Sequence, residues 1–214
     1  MRLLLVRHAE SLGNREGRLQ DRREFPLTER GQRQAEALAP RLAAMPVAAL
    51  YASPLRRVRE TAEPLAAQAG LTIRLEPRVQ EYDFGEAISG LTWREIRDQR
   101  PEILEALRGG GPDFPSCPGE EGRATFKERV CEALWEIVAR HESDEAVAVV
   151  THGGPIAVFL METLHRPYRH PVPFTIDNSS LTTIEMNSRG QYGSAGAVVV
   201  GLNDTCHLGS EDGR

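Results

Sequence analysis

Short apolar runs alternate along this chain with longer stretches that have helical periodicity. Four of the runs are apolar over most of their length, as buried strands of parallel sheets are: residues 3–6, 47–52, 71–75 and 146–151. Two further runs, residues 180–186 and 197–202, flank a turn signal at residues 187–190. We expect these last two to be closing strands that pair antiparallel at one edge of a sheet.

Helices are predicted between the apolar runs, and their starts are marked in the sequence. Start signals precede four of them: Thr28, Ser53 followed by Pro54, Thr92 with Glu95, and Pro155 at a first helical position. The predicted helices cover residues 29–44, 54–68, 93–108 in two pieces, 123–141 and 155–164. In the helix at 123–141, an apolar stripe of Phe126, Val130 and Leu134 is typical of a core face.

The order of these elements predicts the fold class. Strand, helix and strand follow one another twice in the first 75 residues, which indicates an α/β protein with a doubly wound, mostly parallel sheet. We predict one domain over residues 1–214, in three layers with helices on both faces of the sheet. An insertion at about 81–122, irregular from Gly109, is expected to lie over the site as a lid, and a loose tail is expected from about 203.

Composition narrows the class of protein. Of the 214 residues, 40% are hydrophobic and 27% are charged, which is typical of a soluble globular protein. The net charge of −5 argues against nucleic acid as a partner. The three cysteines are widely spaced, which favours neither a disulfide framework nor a zinc site. Because no apolar run is long enough for a signal peptide or a membrane span, we expect a cytoplasmic protein without a membrane partner.

Charged and titratable residues follow two of the predicted strands directly. Arg7 and His8 follow the first strand, and His152, Gly153 and Gly154 follow the strand at 146–151. Open α/β sheets bind ligands at the carboxyl ends of their strands, and glycine lets backbone amides approach an anion closely. An anion site is one interpretation; a surface charge beside a capping histidine is the other.

Arginines are concentrated in two places near these strand ends. Arg56, Arg57 and Arg59 lie in the first turn of a predicted helix, where positive charge is unfavourable unless an anion binds there. The alternative is that they spread over an exposed turn. A second group lies in residues 9–27, which are predicted to be a loop: Arg15, Arg18, Arg22 and Arg23. These four either line the mouth of an anion site or form a solvated charge run.

Carboxylates and aromatic residues are crowded together at residues 81–86. Glu81 lies among them, and an acid under aromatic cover is a candidate for a raised pKa and for proton transfer. Tyr82, Phe84 and Trp93, with the loop at 112–118, either shape a leaving-group pocket or belong to the core. His165 and His170 have no acidic or cysteine neighbours that would complete a metal site, so no metal is expected.

Taken in order, these motifs resemble the histidine phosphatase superfamily, the phosphoglycerate-mutase-like proteins. The resemblance rests on residues 5–14, 26–31, 52–62, 81–85 and 150–153. It implies that His8 is the nucleophile and becomes phosphorylated, and that Glu81 is the proton donor. It also implies a phosphate pocket that needs neither metal nor cofactor, formed by Arg7, Arg57 and His152 with contributions from Asn14, Gln20 and Gly153. Arg57 is chosen because in the family motif the arginine lies two positions after the leucine.

Two positions depart from the family pattern. Ala9 replaces the usual glycine after the histidine, which is tolerated if its φ angle is negative. Residues 21–25 lack the tryptophan and glycine common before the Pro-Leu-Thr motif, and this affects the loop that faces the substrate.

The resemblance implies a metal-independent phosphomonoesterase of the phosphatase branch, acting on a small phosphorylated metabolite. A cofactor-dependent phosphoglycerate mutase is the first alternative, although members of that branch carry a longer insertion than residues 86–146 provide. A non-catalytic binding or signalling module, or a protein phosphatase, is an alternative of another class. A homodimer is possible in each case.

Overall fold

One six-stranded sheet organises the fold in the computed structural model, which describes residues 1–108, 117, 119–142, 144–168, 172–186 and 196–209. The strands are β1 (Arg2–Arg7), β2 (Val47–Ala52), β3 (Ile73–Leu75), β4 (Ala146–Thr151), β5 (Leu181–Met186) and β6 (Ala197–Asp204). The helices are α1 (Leu12–Arg15), α2 (Glu29–Ala43), α3 (Arg56–Ala69), α4 (Trp93–Gln99), α5 (Pro101–Arg108), α6 (Arg123–Ala139) and α7 (Gly153–Thr163), with a 3₁₀ turn at Pro77–Val79.

The sheet is mostly parallel, and its two central strands are β4 and β1. The strand order is β3-β2-β4-β1-β5-β6, in which β3, β2, β4 and β1 are parallel and β5 and β6 run antiparallel to their neighbours. The register pairs Arg7 with Thr151, so the carboxyl ends of β1 and β4 lie side by side. The predicted α/β class and the antiparallel edge are confirmed.

Two apolar cores cover the two faces of the sheet. On one face, Leu38 of α2 and Val58 of α3 pack with Leu4 and Val6 of β1. On the other face, the predicted stripe of α6 packs with α7 and the remaining side chains of β1: Phe126, Val130, Leu134, Phe159, Leu3 and Leu5. Alternate residues of one strand therefore enter opposite cores, which makes three layers.

A smaller apolar cluster lies within the predicted insertion. Ile88, Ile96 and Cys117 are buried together, with Leu19 packed against them. The capping box of Thr92 and Glu95 is present at the start of α4, as predicted. The lid residues 109–116 and 118 lie outside the described residues, as do His170, the turn at 187–190 and residues 210–214.

Other helix ends agree with the sequence pattern in part. Thr28 caps α2 by accepting from Gly31 N, and Gly70 ends α3 at a φ of 67°. The prediction of a cap at Ser53 with Pro54 in the first helical position is wrong, because α3 begins at Arg56 after Leu55. The Ser53 hydroxyl instead contacts a side chain that follows β4.

The remaining differences concern short segments. Residues 9–27 contain the helix α1, capped by Ser11, and are not wholly a loop. Pro155 is the third residue of α7 and not the first, because the helix begins at Gly153. The predicted loose tail begins too early, because β6 extends to Asp204, and both Asp204 and His207 bond to Arg41 of α2.

Across the described part of the chain, none of the helices combines the length and the apolar character that a membrane span needs.

Candidate active site

Two histidines and a buried arginine meet where β1 and β4 end. The rings of His8 and His152 lie edge to face, with their centroids 5.2 Å apart. Arg57, in the first turn of α3, reaches both rings: its Nε lies 3.3 Å from His8 Nε2 and its Nη2 lies 3.1 Å from His152 Nδ1. The ends of β1 and β4 and the first turn of α3 thus meet, although His8 and His152 are 144 positions apart in the sequence.

The tautomer of His8 follows from its partners. Its Nδ1 lies 2.8 Å from the carbonyl oxygen of Ala9, which can only accept a hydrogen bond, so Nδ1 carries the proton. The Nε2 lone pair therefore points toward Arg57 and the pocket. Burial lowers the pKa of His8 well below its usual value, and Arg57 and Arg7 lower it further. The ring is neutral at physiological pH, as a nucleophile must be.

Arg57 has no exposed surface, and backbone carbonyls hold its guanidinium. Nη1 donates to Arg23 O at 2.9 Å, and Nη2 donates to Asp21 O at 2.9 Å. Burial lowers the pKa of Arg57 to about 10, against the opposing effect of Glu81, so the side chain stays charged at neutral pH. Arg56 and Arg59 are exposed, so Arg57 is the one of these three arginines that lies inside the site.

Arg7 supplies a second cation with an unused donor. Its Nη1 donates to the carbonyl oxygen of Ile176, while its buried Nε has no hydrogen-bond partner among the described residues. Burial lowers the pKa of Arg7, with Glu81 and Asp177 opposing. A buried donor without a partner is costly, and an anion in the pocket would remove that cost.

Glu81 lies across from the two arginines at the start of α7. Its carboxylate accepts from Tyr82 N at 2.9 Å and from Gly154 N at 3.1 Å. Burial raises the pKa of Glu81, while these two hydrogen bonds and the charges of Arg57 and Arg7 lower it to a smaller extent. The predicted acid therefore lies in the site with the direction of pKa shift that a proton donor requires.

The two glycines after His152 have different surroundings. A Cβ at Gly154 would lie 2.1 Å from Glu81 Oε1, so any side chain there would force the Glu81 carboxyl to move. A Cβ at Gly153 would lie 3.7 Å from Arg7 Nε, an ordinary contact. Gly153, the predicted binding residue, thus borders Arg7. Gly154 was not predicted to be a site residue, and it is the one of the two glycines that contacts Glu81.

Asn14 and Gln20 lie beside this group. The Oδ1 of Asn14 accepts from Ser11 Oγ at 2.9 Å and from Asn178 Nδ2 at 3.1 Å. Gln20 accepts from the same Ser11 hydroxyl through Oε1, and its backbone oxygen lies 3.2 Å from Arg57 Nη2. The side chain of Gln20 thus packs on α1, and its main chain supports the arginine.

Two positioning residues were missed by the sequence analysis. Asn178, before β5, donates to the backbone oxygen of His8 at 3.0 Å as well as to Asn14. Thr61 of α3 accepts from Ala9 N at 3.0 Å and donates to Arg57 O at 2.7 Å. Thr61 was visible within the motif at 52–62, whereas no local pattern marked Asn178.

The residues that follow His8 are accommodated without backbone strain. Ala9 is fully buried and is not among the residues with a positive φ angle, so a methyl group is tolerated in place of glycine. The carboxylate of Glu10 turns toward α2, where Thr28 Oγ1 and Arg30 Nη1 donate to it. Glu10 therefore supports the loop and does not enter the pocket.

A set of ion pairs holds the segment that carries Glu81. Arg129 of α6 donates to Glu81 O at 3.0 Å and to Glu121 Oε1 at 2.7 Å. Arg22 extends from the loop beside Arg57 to Asp83 and Glu121, at 3.6 and 3.5 Å. Of the four loop arginines, Arg22 thus contacts the segment that carries Glu81, and Arg18 pairs with Glu16 and Glu95.

Metal ligands do not cluster in the part of the chain that the structure covers: no group of three or more His, Cys, Asp or Glu side chains is suitably placed. His165 lies exposed after the end of α7.

The chain matches the profile of the histidine phosphatase superfamily (branch 1) over residues 3–196, and it belongs to that family. Phosphoserine phosphatase 1 of Hydrogenobacter thermophilus is 34% identical over 209 residues, which cover 98% of this chain and 95% of that protein. The metal-independent phosphoserine phosphatase of Arabidopsis thaliana is 36% identical over 165 residues, covering 75% of this chain and 68% of that protein. Other relatives are named phosphoglycerate mutases or mutase-like proteins.

Solved structures agree with this assignment. Bacillus stearothermophilus YhfR superposes with a TM-score of 0.85 at 31% identity, covering 96% of this chain and 98% of that one.

Proposed function

We propose that this chain is a metal-independent phosphomonoesterase that hydrolyses a small phosphorylated metabolite through a phosphohistidine at His8. One observation carries the proposal: the Ala9 carbonyl fixes the proton on His8 Nδ1 and leaves the Nε2 lone pair directed at a pocket with two arginines. A neutral nucleophile among cations suits attack on a phosphoryl group that carries close to two negative charges.

The pocket residues have distinct roles in this proposal. Arg7, through its unpaired Nε, and Arg57 neutralise the phosphoryl oxygens, and His152 borders the same pocket with its Nδ1 beside Arg57. Asn14 and Gly153 border the oxygens, and Gln20 acts through its backbone oxygen, which accepts from Arg57. No metal or other cofactor is needed, because the two guanidiniums supply the positive charge.

The reaction has two steps. His8 Nε2 forms a bond to phosphorus while the bond from phosphorus to the leaving oxygen breaks, and Glu81 gives its proton to that oxygen. Glu81, now a carboxylate, then takes a proton from water as the water oxygen attacks phosphorus and the bond from phosphorus to Nε2 breaks. Inorganic phosphate leaves, and both residues return to their starting states.

The names of the relatives suggest which substrate to test first. Two of them are phosphoserine phosphatases by name. We therefore propose phosphoserine as the first compound in a panel of small phosphomonoesters. A mutase assay with and without bisphosphoglycerate tests the alternative, which the short segment at 86–146 disfavours.

The decisive experiment compares His8→Ala with His165→Asn, a matched histidine variant on the exposed surface where asparagine tolerates the φ of 52°. We expect His8→Ala to lose turnover and phosphoenzyme, measured by phosphate release and mass spectrometry, and His165→Asn to retain both. Hydrolysis by His8→Ala at the rate of the wild type would overturn the mechanism.

We also propose a cytoplasmic location and keep the homodimer as a prediction. Cys117, Cys131 and Cys206 are free thiols, which suits a reducing compartment. Light scattering on the purified protein measures the oligomeric state.

A further inference from the structure

Ser53 lies behind His152, on the side away from the pocket. It follows β2 directly, has no exposed surface, and is held against β4 by the hydrogen bond from its backbone N to Val150 O at 3.1 Å. Its hydroxyl oxygen lies 3.0 Å from His152 Nε2. The two ring nitrogens of His152 therefore have one partner each, Ser53 at Nε2 and Arg57 at Nδ1.

The direction of both hydrogen bonds follows from the partners. Arg57 can only donate, so His152 Nδ1 accepts, and the ring proton is on Nε2. The N–H at Nε2 then donates to Ser53 Oγ. This tautomer cannot donate from Nδ1, the nitrogen that faces Arg57.

Mostly positive charge surrounds His152. Arg57 approaches from α3, Arg7 from the end of β1 and Arg129 from α6, and the neutral ring of His8 is a further neighbour. Burial lowers the pKa of His152 well below its usual value, and these groups lower it further. The Glu81 carboxylate, at the start of α7, is the acid that faces Arg7 and Arg57. A phosphate dianion placed among these cations reverses the sign of the local field.

We propose that Ser53 is a positioning residue that lets His152 take up one proton when a phosphate dianion enters the pocket. An imidazolium has two N–H donors and therefore needs two acceptors. Ser53 Oγ is the acceptor for Nε2, and a phosphate oxygen becomes the acceptor for Nδ1, while Arg57 Nη2 turns from the ring to the anion. The proton comes from solvent, so binding of phosphate is coupled to its uptake.

This inference rests on the proposed function but is tested without turnover, with inorganic phosphate as the probe. Titration calorimetry at about pH 8 in two buffers of different ionisation enthalpy gives the number of protons bound with each phosphate, most of which is dianionic at that pH. We expect the wild type to take up close to one proton. Ser53→Ala should take up less than half as much and bind phosphate more weakly, and Ser53→Thr, which keeps the hydroxyl, should regain uptake.

A second measurement needs no variant. The ¹⁵N shifts of His152 should show a proton on Nε2 alone without phosphate and on both nitrogens with it. Uptake by folded Ser53→Ala equal to that of the wild type, or an unprotonated Nδ1 with phosphate bound, would overturn this inference alone. Failure of the wild type to bind phosphate would overturn the proposed function as well.

Discussion

The two histidines of the pocket hold their protons on opposite nitrogens. His8 carries its proton on Nδ1, because the Ala9 carbonyl accepts there, whereas His152 carries its proton on Nε2, because Arg57 donates to its Nδ1. The pKa values of both are far below the usual range, so neither ring limits activity by ionising at mildly acidic pH. In the phosphate-free pocket, the group whose ionisation limits the reaction is then the acid that protonates the leaving oxygen; proton uptake by His152 belongs to the phosphate-binding step.

Glu81→Gln tests that acid. Because burial raises the pKa of Glu81 and its protonated form is required, kcat/KM of the wild type should fall as pH rises through this pKa. The variant should lose the part of this decline that Glu81 causes, keep the part that comes from proton uptake by His152, and be slower by about 10²–10⁴ on substrates with poor leaving groups. With a good leaving group, phosphoenzyme should accumulate, as measured by quenched flow and mass spectrometry.

Glu86→Gln, an exposed neighbour, is the matched control and should behave as wild type. An alkaline decline in Glu81→Gln as steep as that of the wild type, over the same pH range, would assign the acid to another group.

Gly153 and Gly154, which follow His152, allow a second test of Glu81 at the scale of single residues. Gly154→Ala should lower kcat by about 10²–10³, because its Cβ would displace the Glu81 carboxyl from a position 2.1 Å away. Gly153→Ala keeps the backbone N–H and meets only ordinary contacts, so its activity should stay within about threefold of wild type. Steady-state kinetics on both variants measures the difference, and equal losses would show that the close approach to Glu81 is unimportant.

At the scale of elements, the end of β6 supports the loop before β5. Ser179, whose N lies 3.1 Å from Arg7 O, contacts His207 through its hydroxyl at 3.2 Å. Arg41 of α2 holds His207 Nδ1 at 3.3 Å and pairs with Asp204. The segment after β6 is thus connected through Ser179 to the backbone of the strand that ends in the proposed nucleophile.

From the partly buried contacts of His207 we expect the folded protein to lose stability in acid. Burial lowers the pKa of His207 from its usual 6.5 to about 4. The charge of Arg41 contributes to this decrease, and the charge of Asp204 opposes it. Between these values the unfolded chain binds more protons than the folded one, so the free energy of unfolding falls as pH drops from about 6.5 to about 4. Because His207 is only half-buried, we expect the loss to be about 1 kcal/mol.

His207→Gln can keep both hydrogen bonds and does not titrate, so it should lack this component of the pH dependence. His8 and His152 have lowered pKa values too, so the comparison is between wild type and variant in urea unfolding at about pH 7 and about pH 5. A variant that loses as much stability as wild type over this range would contradict the prediction.

The order of elements was predictable because strand and helix periodicities are local properties of the sequence. The start of α3 was not predictable. Capping propensity favoured Ser53 as the cap, but its buried hydroxyl bonds to His152, which is 99 residues away in the sequence. The strand ends and the motifs predicted one site for Arg7, His8, Arg57, Glu81 and His152, and the structure brings these residues together; their roles stay predictions. Asn178 could not be found, because its partner His8 is 170 residues away and no spacing rule connects them.

At the scale of the whole molecule, a chain with a net charge of −5 concentrates positive charge at one site. Since Arg7 and Arg57 provide that charge without a metal, prolonged treatment with a chelator should leave phosphate release unchanged within error, and added Mg²⁺ or Zn²⁺ should not raise it. The assay is run on the same sample before and after treatment. Loss of activity that is restored by one of these ions would reveal a metal requirement.

The position of β1 in the sheet has a consequence for biosynthesis. Arg2 pairs with Ala146 on one side and with Glu185 on the other, so both neighbours of the strand belong to the last third of the chain. β1 and His8 emerge from the ribosome before β4 and β5 do, so β1 stays unpaired until those two strands have emerged. Until then the apolar residues of β1 are exposed to other nascent chains and to chaperones, and the pocket cannot close.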